Sequence, residues 1–160
     1  MGWQQAWYPV AYLRDLDPQR PTPFTLLEHD LVLWFDAASQ RWRAFADVCP
    51  HRLVPLSEGR LNGAGELECP YHGWTFNGDG HCTAIPQAQD GSRISPRSHC
   101  RSYATATAQG LLFVFSGNPA EAEAHPLPLV PVSGLVSCTM YWESPRPTPR
   151  VSVPDRSRPN

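Results

Sequence analysis

Cys49-Pro50-His51-Arg52 and Cys69-Pro70-Tyr71-His72-Gly73-Trp74 decide how this chain is read. Each stretch pairs one thiol with one imidazole, first in a Cys-X-His and then in a Cys-X-X-His order, with residues 52–68 between His51 and Cys69. The proline after each cysteine holds the backbone angle and supplies no N–H, which suits a tight loop. Gly59, closing Pro55-Leu56-Ser57-Glu58-Gly59, and Gly73 permit close or left-handed backbone where the two loops end.

Two thiolates and two imidazoles point to an iron-sulphur cluster. In a Rieske 2Fe-2S centre two Cys hold one iron and two His the other, whereas plant-type ferredoxins use four Cys. Two ferric ions, two sulphides and two thiolates sum to zero charge, and neutral imidazoles add none, so an added electron meets less repulsion than in a four-thiolate cluster. His-ligated centres therefore lie at roughly −150 to +300 mV, against about −400 mV for plant-type ferredoxins. Two alternatives compete. A structural zinc uses the same donors, but zinc fingers pair Cys with Cys and His with His along the chain. A Cys49–Cys69 disulphide would leave both histidines without a role, and nothing marks the chain as secreted.

Together with Pro55–Gly59, the two stretches resemble the cluster-binding loops of Rieske domains, and particularly those of Rieske non-haem iron oxygenases. The resemblance implies that Cys49 and Cys69 ligate one iron of a Rieske-type 2Fe-2S cluster and His51 and His72 the other. The high-potential type of cytochrome bc complexes is similar in its ligands, but carries an extra Cys in each loop and a Ser after the second His-Gly. Leu53, Tyr71 and Trp74 stand in those regions here. Fewer hydroxyl donors to sulphur imply a lower potential. Trp7-Tyr8-Pro9-Val10-Ala11, Leu16-Asp17-Pro18, Pro21 to Leu27 and Leu31-Val32-Leu33-Trp34 are similar to the N-terminal region of the pheophorbide a oxygenase and chlorophyllide a oxygenase group. That group oxidises chlorophyll-type macrocycles, passing electrons through the Rieske cluster to a mononuclear iron.

Patterning supports an all-β chain. Phe24–Leu27, Leu31–Phe35, Trp42–Phe45, Trp74–Phe76, Tyr103–Thr107 and Leu111–Phe115 are rich in aromatic and branched residues and bounded by turn formers, which predicts small antiparallel sheets. Asn62-Gly63-Ala64-Gly65 and Asn77-Gly78-Asp79-Gly80 predict turns before and after the second loop. Helical periodicity is confined to a turn at Ala120–Ala124. The expected architecture is the Rieske fold, a cluster-binding subdomain carried on a larger antiparallel one, with Ala84-Ile85-Pro86-Gln87-Ala88 resembling the proline loop that covers the cluster.

At 160 residues the chain suits one domain burying about 70% of its unfolded surface. A net charge of −2 and a pI near 6.3 suggest neither a nucleic-acid footprint nor a polybasic membrane surface. No apolar run approaches the roughly 18 residues that span a bilayer. Cys82, Cys100 and Cys138 are expected as reduced thiols in a cytoplasmic setting, with peripheral attachment to photosynthetic membranes implied by the resemblance.

The expected layout is a Rieske 2Fe-2S domain over residues 1–130 and a disordered Pro/Ser/Arg-rich tail over 131–160. Half of the 18 prolines fall after Ser116. Non-haem oxygenase iron needs two His and a carboxylate, and His81, His99 and His125 stand apart as singletons, expected at the surface or hydrogen-bonded. We therefore expect an oxygenase truncated before its mononuclear iron domain, without independent turnover and with no catalytic residues of its own. Three roles compete: the N-terminal redox half of an oxygenase, a free-standing Rieske ferredoxin, and a non-catalytic metal-binding or redox-sensing module. The expected partners are an electron-donating reductase or ferredoxin and a catalytic oxygenase domain or subunit. Arg52 and Trp74 are candidates for a docking face, followed by Glu58 and Arg60.

Overall fold

Strand alternation in Leu31-Val32-Leu33-Trp34 sends successive side chains to opposite faces of one sheet, and both faces are covered. Leu31 and Leu33 enter one buried cluster with Leu16, Trp42, Ala44, Tyr103, Leu112 and Val114. Val32 and Trp34 enter another, with Phe45, Leu56, Leu67, Phe76 and three cysteines, Cys49, Cys69 and Cys82. The computed structural model describes residues 5–89 and 93–131.

Eleven strands are present among those residues: β1 Trp7–Tyr12, β2 Thr22–Leu26, β3 His29–Asp36, β4 Arg41–Ala46, β5 Arg60–Leu61, β6 Leu67–Glu68, β7 Thr75–Phe76, β8 Cys82–Ala84, β9 Ser102–Tyr103, β10 Thr105–Ala108 and β11 Leu111–Phe115. They form three antiparallel sheets, ordered β1-β11-β10, β2-β3-β4-β9 and β5-β6-β7-β8. The all-β expectation for the described residues is therefore met, and only short 3-10 helices interrupt it, among them Pro119–Ala124 where the turn was predicted.

The β3–β4 hairpin is the scaffold. Its register sets Val32 opposite Phe45 and Leu33 opposite Ala44, so each cross-strand pair serves one core. Trp34 meets Phe45 edge-on, with ring centroids 5.5 Å apart. Each wholly buried side chain of this size contributes ~1.5–3 kcal/mol, which anchors the short third sheet to the scaffold. Pro9 and Pro23 lie in β1 and β2, both at sheet edges, where a missing N–H costs no ladder bond.

The structure corrects two sequence expectations. Tyr103–Thr107 is not one strand: Tyr103 pairs with Ala44 while Thr105 pairs with Val114, so the chain changes sheets at Ala104. Trp74 precedes β7 rather than opening it, and β1 forms over Trp7–Tyr12, a segment whose patterning predicts no strand. The two- and three-residue strands β5, β6 and β8 carry too little pattern to be read from sequence. Both predicted turns form. Asn62 Oδ1 accepts from the Ala64 and Glu66 N–H groups, and Asn77 Oδ1 accepts from those of Asp79 and His81.

Internal contacts divide the chain into Met1–Leu129, which holds every strand named above, and Val130–Asn160. The Pro-rich tail expected over 131–160 lies, apart from Pro131, outside the described residues.

Candidate functional site

Two loops of the same backbone design carry the four candidate ligands. In the first, Cys49 C=O accepts from Leu53 N–H at 2.8 Å and Cys49 N–H donates to Val54 C=O at 2.8 Å. In the second, Cys69 C=O accepts from Gly73 N–H at 3.2 Å and Cys69 N–H donates to Trp74 C=O at 2.8 Å. The fifth residue of each loop is left-handed, Leu53 at φ 59° and Gly73 at φ 70°. The sequence reading of Gly73 is thus met. Gly59 serves differently: a Cβ there would lie 2.1 Å from Glu68 C=O, so its requirement is close approach rather than positive φ.

β4 delivers the first loop, and β6 and β7 flank the second. The Asp47 carboxylate accepts from both the N–H and the hydroxyl of Ser57, which ties the two ends of the first loop together. Sequence reasoning missed this brace, because Asp47 lies outside both motifs. The Ala84–Ala88 segment, expected as a proline loop, lies against the second ligand loop. Pro86 lies 3.3 Å from where a Gly73 Cβ would sit, and Gln87 Nε2 donates to His72 C=O at 2.9 Å.

The donors separate by type. Cys49 and Cys69 are buried at 1% and 2% exposure, with their thiols against each other in the core. His51 and His72 are half-buried, with ring centroids 4.6 Å apart. Trp74 stacks on His51 at 4.6 Å and 4° between planes, and the exposed Tyr71 ring lies 3.9 Å from that of His72. Burial pushes the Cys49 thiol up to about 11, assisted by Cys69 and opposed by the His51 and Arg52 backbone N–H groups. Such a pair is charged near neutrality only beside a compensating cation. Desolvation first, then the like charges of His72 and Arg52, lower the His51 pKa and favour the neutral imidazole that binds metal.

This donor set fits a two-iron cluster. His51 Nδ1 and His72 Nδ1 are both buried without a hydrogen-bond partner, as metal-ligating nitrogens would be when the metal is left out of account. Thiol lies with thiol and imidazole with imidazole. Among the described residues no three His, Cys, Asp or Glu side chains converge on a single ion. A tetrahedral zinc would need all four donors about one point.

Other candidate residues fall elsewhere. His81 and His99, expected as singletons, come together with ring centroids 4.8 Å apart, and His99 Nδ1 accepts from Cys82 N–H. His125 packs on Phe115, and its carbonyl accepts from Trp7 Nε1. Cys82 and Cys100 pack in the core with Cys49 and Cys69, both as free thiols, while Cys138 lies outside the described residues. Arg60 pairs with Glu68, and Arg52 and Glu58 are exposed. No helix of the described residues is long and apolar enough to cross a membrane.

Comparison with known proteins agrees with the geometry. The model of the Rieske [2Fe-2S] domain family matches residues 6–106. The chain is 55% identical over 118 residues to chloroplastic pheophorbide a oxygenase of Arabidopsis thaliana, a match covering 71% of this chain and 22% of that protein. It is 40% identical over 126 residues to 4beta-methylsterol monooxygenase of Methylococcus capsulatus, covering 78% and 34%. The crystal structure of dicamba monooxygenase bound to dicamba superposes with a TM-score of 0.66 at 35% identity, covering 73% of this chain and 36% of that one. The chain thus spans about a fifth to a third of the length of these relatives. The cytoplasmic setting read from the free cysteines draws no support from the chloroplastic relative. A cluster-shaped donor set, the three-sheet architecture and these matches together establish that the chain belongs to the Rieske [2Fe-2S] domain family, as found in Rieske-type oxygenases, and that its cofactor is a Rieske-type 2Fe-2S cluster.

Proposed function

We propose that this chain carries single electrons as the redox domain of an oxygenase acting on chlorophyll-type macrocycles. Cys49 and Cys69 hold the inner iron and His51 and His72 the outer one. The observation that carries this reading is the juxtaposition of two buried thiols with two imidazoles whose Nδ1 atoms are buried and unpartnered. When bound, the cluster supplies a one-electron couple.

The chain's own residues divide the remaining work. Val32, Trp34, Phe45, Leu56, Leu67 and Phe76 keep water from the cysteine side. The Asp47–Ser57 brace and the Gln87–His72 bond hold the loops that orient the donors. The imidazole side is the less buried one and lies beside exposed Arg52, Leu53 and Tyr71, which makes it the face where an electron donor docks. A reductase or ferredoxin fits as donor, and a mononuclear iron domain as acceptor. The macrocyclic substrate class rests on the 55% identity to pheophorbide a oxygenase, whose name also favours a plastid setting over a cytosolic one.

The test is absorption and low-temperature EPR of the chain purified without air, before and after dithionite. A reduced-state Rieske signal that disappears in His51→Ala and His72→Ala supports the proposal. Colourless protein with stoichiometric zinc overturns it.

A further inference from the structure

Four buried side-chain polar atoms lack a hydrogen-bond partner among the described residues: Trp34 Nε1, His51 Nδ1, His72 Nδ1 and Trp74 Nε1. Burial of an N–H without an acceptor is costly, and native proteins keep such groups rare. The proposed function accounts for the two imidazole nitrogens as metal ligands. It leaves the indoles unexplained.

Trp74 is fixed at the site from two directions. Its carbonyl accepts from Cys69 N–H at 2.8 Å, so its backbone closes the second loop. Its ring lies parallel on His51, from the first loop, 4.6 Å away. The next residue, Thr75, is buried and shares a hydrogen bond with Thr83, which leaves the backbone at this point little freedom. An indole placed only to fill space would need no N–H there, since a phenyl ring would stack and bury equally well. An indole placed to greet a protein partner would expose its N–H, and here that atom is buried.

Resting on the reading above, we infer that Trp74 is a positioning residue of the cluster. Its ring fixes the plane of His51, and its Nε1–H donates to an acceptor that the cluster brings. A hydrogen bond to cluster sulphur favours the reduced, more negative form, so the chain uses Trp74 to raise its own potential. Trp34 is placed differently, wholly buried and edge-on to Phe45, and serves as the comparison.

The experiment is a redox titration of the cluster-loaded chain followed by EPR, in wild type and Trp74→Phe. The phenyl ring keeps the stack and removes only the donor. The expected result is a retained Rieske signal with altered g values and a lower midpoint potential. Unchanged g values and midpoint overturn the inference while leaving the electron-transfer reading intact. If Trp74→Phe does not load the cluster, pulsed EPR of the Trp34→Phe chain labelled with 15N at tryptophan Nε1 decides. A 15N coupling to the reduced cluster supports the assignment, and its absence overturns it. A wild-type chain with no Rieske signal removes the proposed function first, and this inference with it.

Discussion

Leu53 occupies in the first loop the place that Gly73 occupies in the second. Both follow their loop's cysteine by four residues, both donate their N–H to its carbonyl, and both are left-handed, at φ 59° and 70°. One of them carries a side chain in a conformation that disfavours side chains.

Leu53→Gly is therefore expected to stabilise the cluster-loaded chain. Leu53 is 74% exposed, so little packing is lost. Relief of left-handed strain outweighs the added freedom of the unfolded chain by about 0.5–1 kcal/mol. A denaturant midpoint that rises checks this, and one that falls would mean that Leu53 packs on something its exposure conceals.

Gly73→Ala has the opposite sign. The new Cβ meets Pro86 Cγ at 3.3 Å on a backbone at φ 70°, for a cost of about 1–2 kcal/mol. The same midpoint measurement reads it, and the His72 side of the cluster should show the change in its EPR line shape.

Gly59→Ala is expected to be worse tolerated than Gly73→Ala, because the obstacle is backbone. A Cβ 2.1 Å from Glu68 C=O and 2.9 Å from Leu56 C=O forces the first loop away from β6, at a cost of about 1–3 kcal/mol. Reduced cluster occupancy, measured as iron per chain, should accompany the fall in stability. Full occupancy at wild-type stability would refute the close-approach reading.

Asp36 predicts a pH dependence. Burial raises its pKa, but the Ser39 hydroxyl and N–H and the Arg43 guanidinium outweigh that effect, and the net shift is downward. An unfolded aspartate titrates near 3.9, about its ordinary value. On acidification the unfolded chain therefore takes up its proton first, and stability from Asp36 is complete above about pH 5 and lost as pH falls through the lower folded value. Asp36→Asn should lower stability at pH 7 and flatten its decline between about pH 5 and pH 2. A parallel pair of stability–pH curves would contradict the assignment.

Cys82 and Cys100 should resist alkylation. Burial, opposed at Cys82 by the Ala84 N–H, lifts the Cys82 thiol from 9.0 to about 11, leaving roughly a hundredfold less thiolate near pH 8. Burial likewise pushes Cys100 up, with the neighbouring cysteines adding to it. Iodoacetamide followed by peptide mass spectrometry should label both in denaturant and neither in the folded chain. Equal labelling in both conditions would show that the cysteine core opens.

The candidate ligands, their order and the turns beside them were legible in the chain itself, because each depends on residue types within a few positions. A thiol and an imidazole flanking one proline, or an asparagine whose carbonyl caps its own turn, need no distant partner. The scaffold strands β3 and β4 and the C-terminal β11 were legible for the same reason, since alternation within one segment reports burial. Tertiary structure alone decided the rest. Strands of two residues exist only where a longer neighbour pairs with them, and the sheet change at Ala104 follows from which partner each side finds. The Asp47–Ser57 brace joins residues outside the ligand motifs. His81 meets His99, and Trp74 lies on His51, only because loops far apart in sequence are folded over one core. Leu53 is left-handed because its own N–H donates to Cys49 C=O while Cys49 N–H donates to Val54 C=O, a constraint that outweighs the preference of its own side chain.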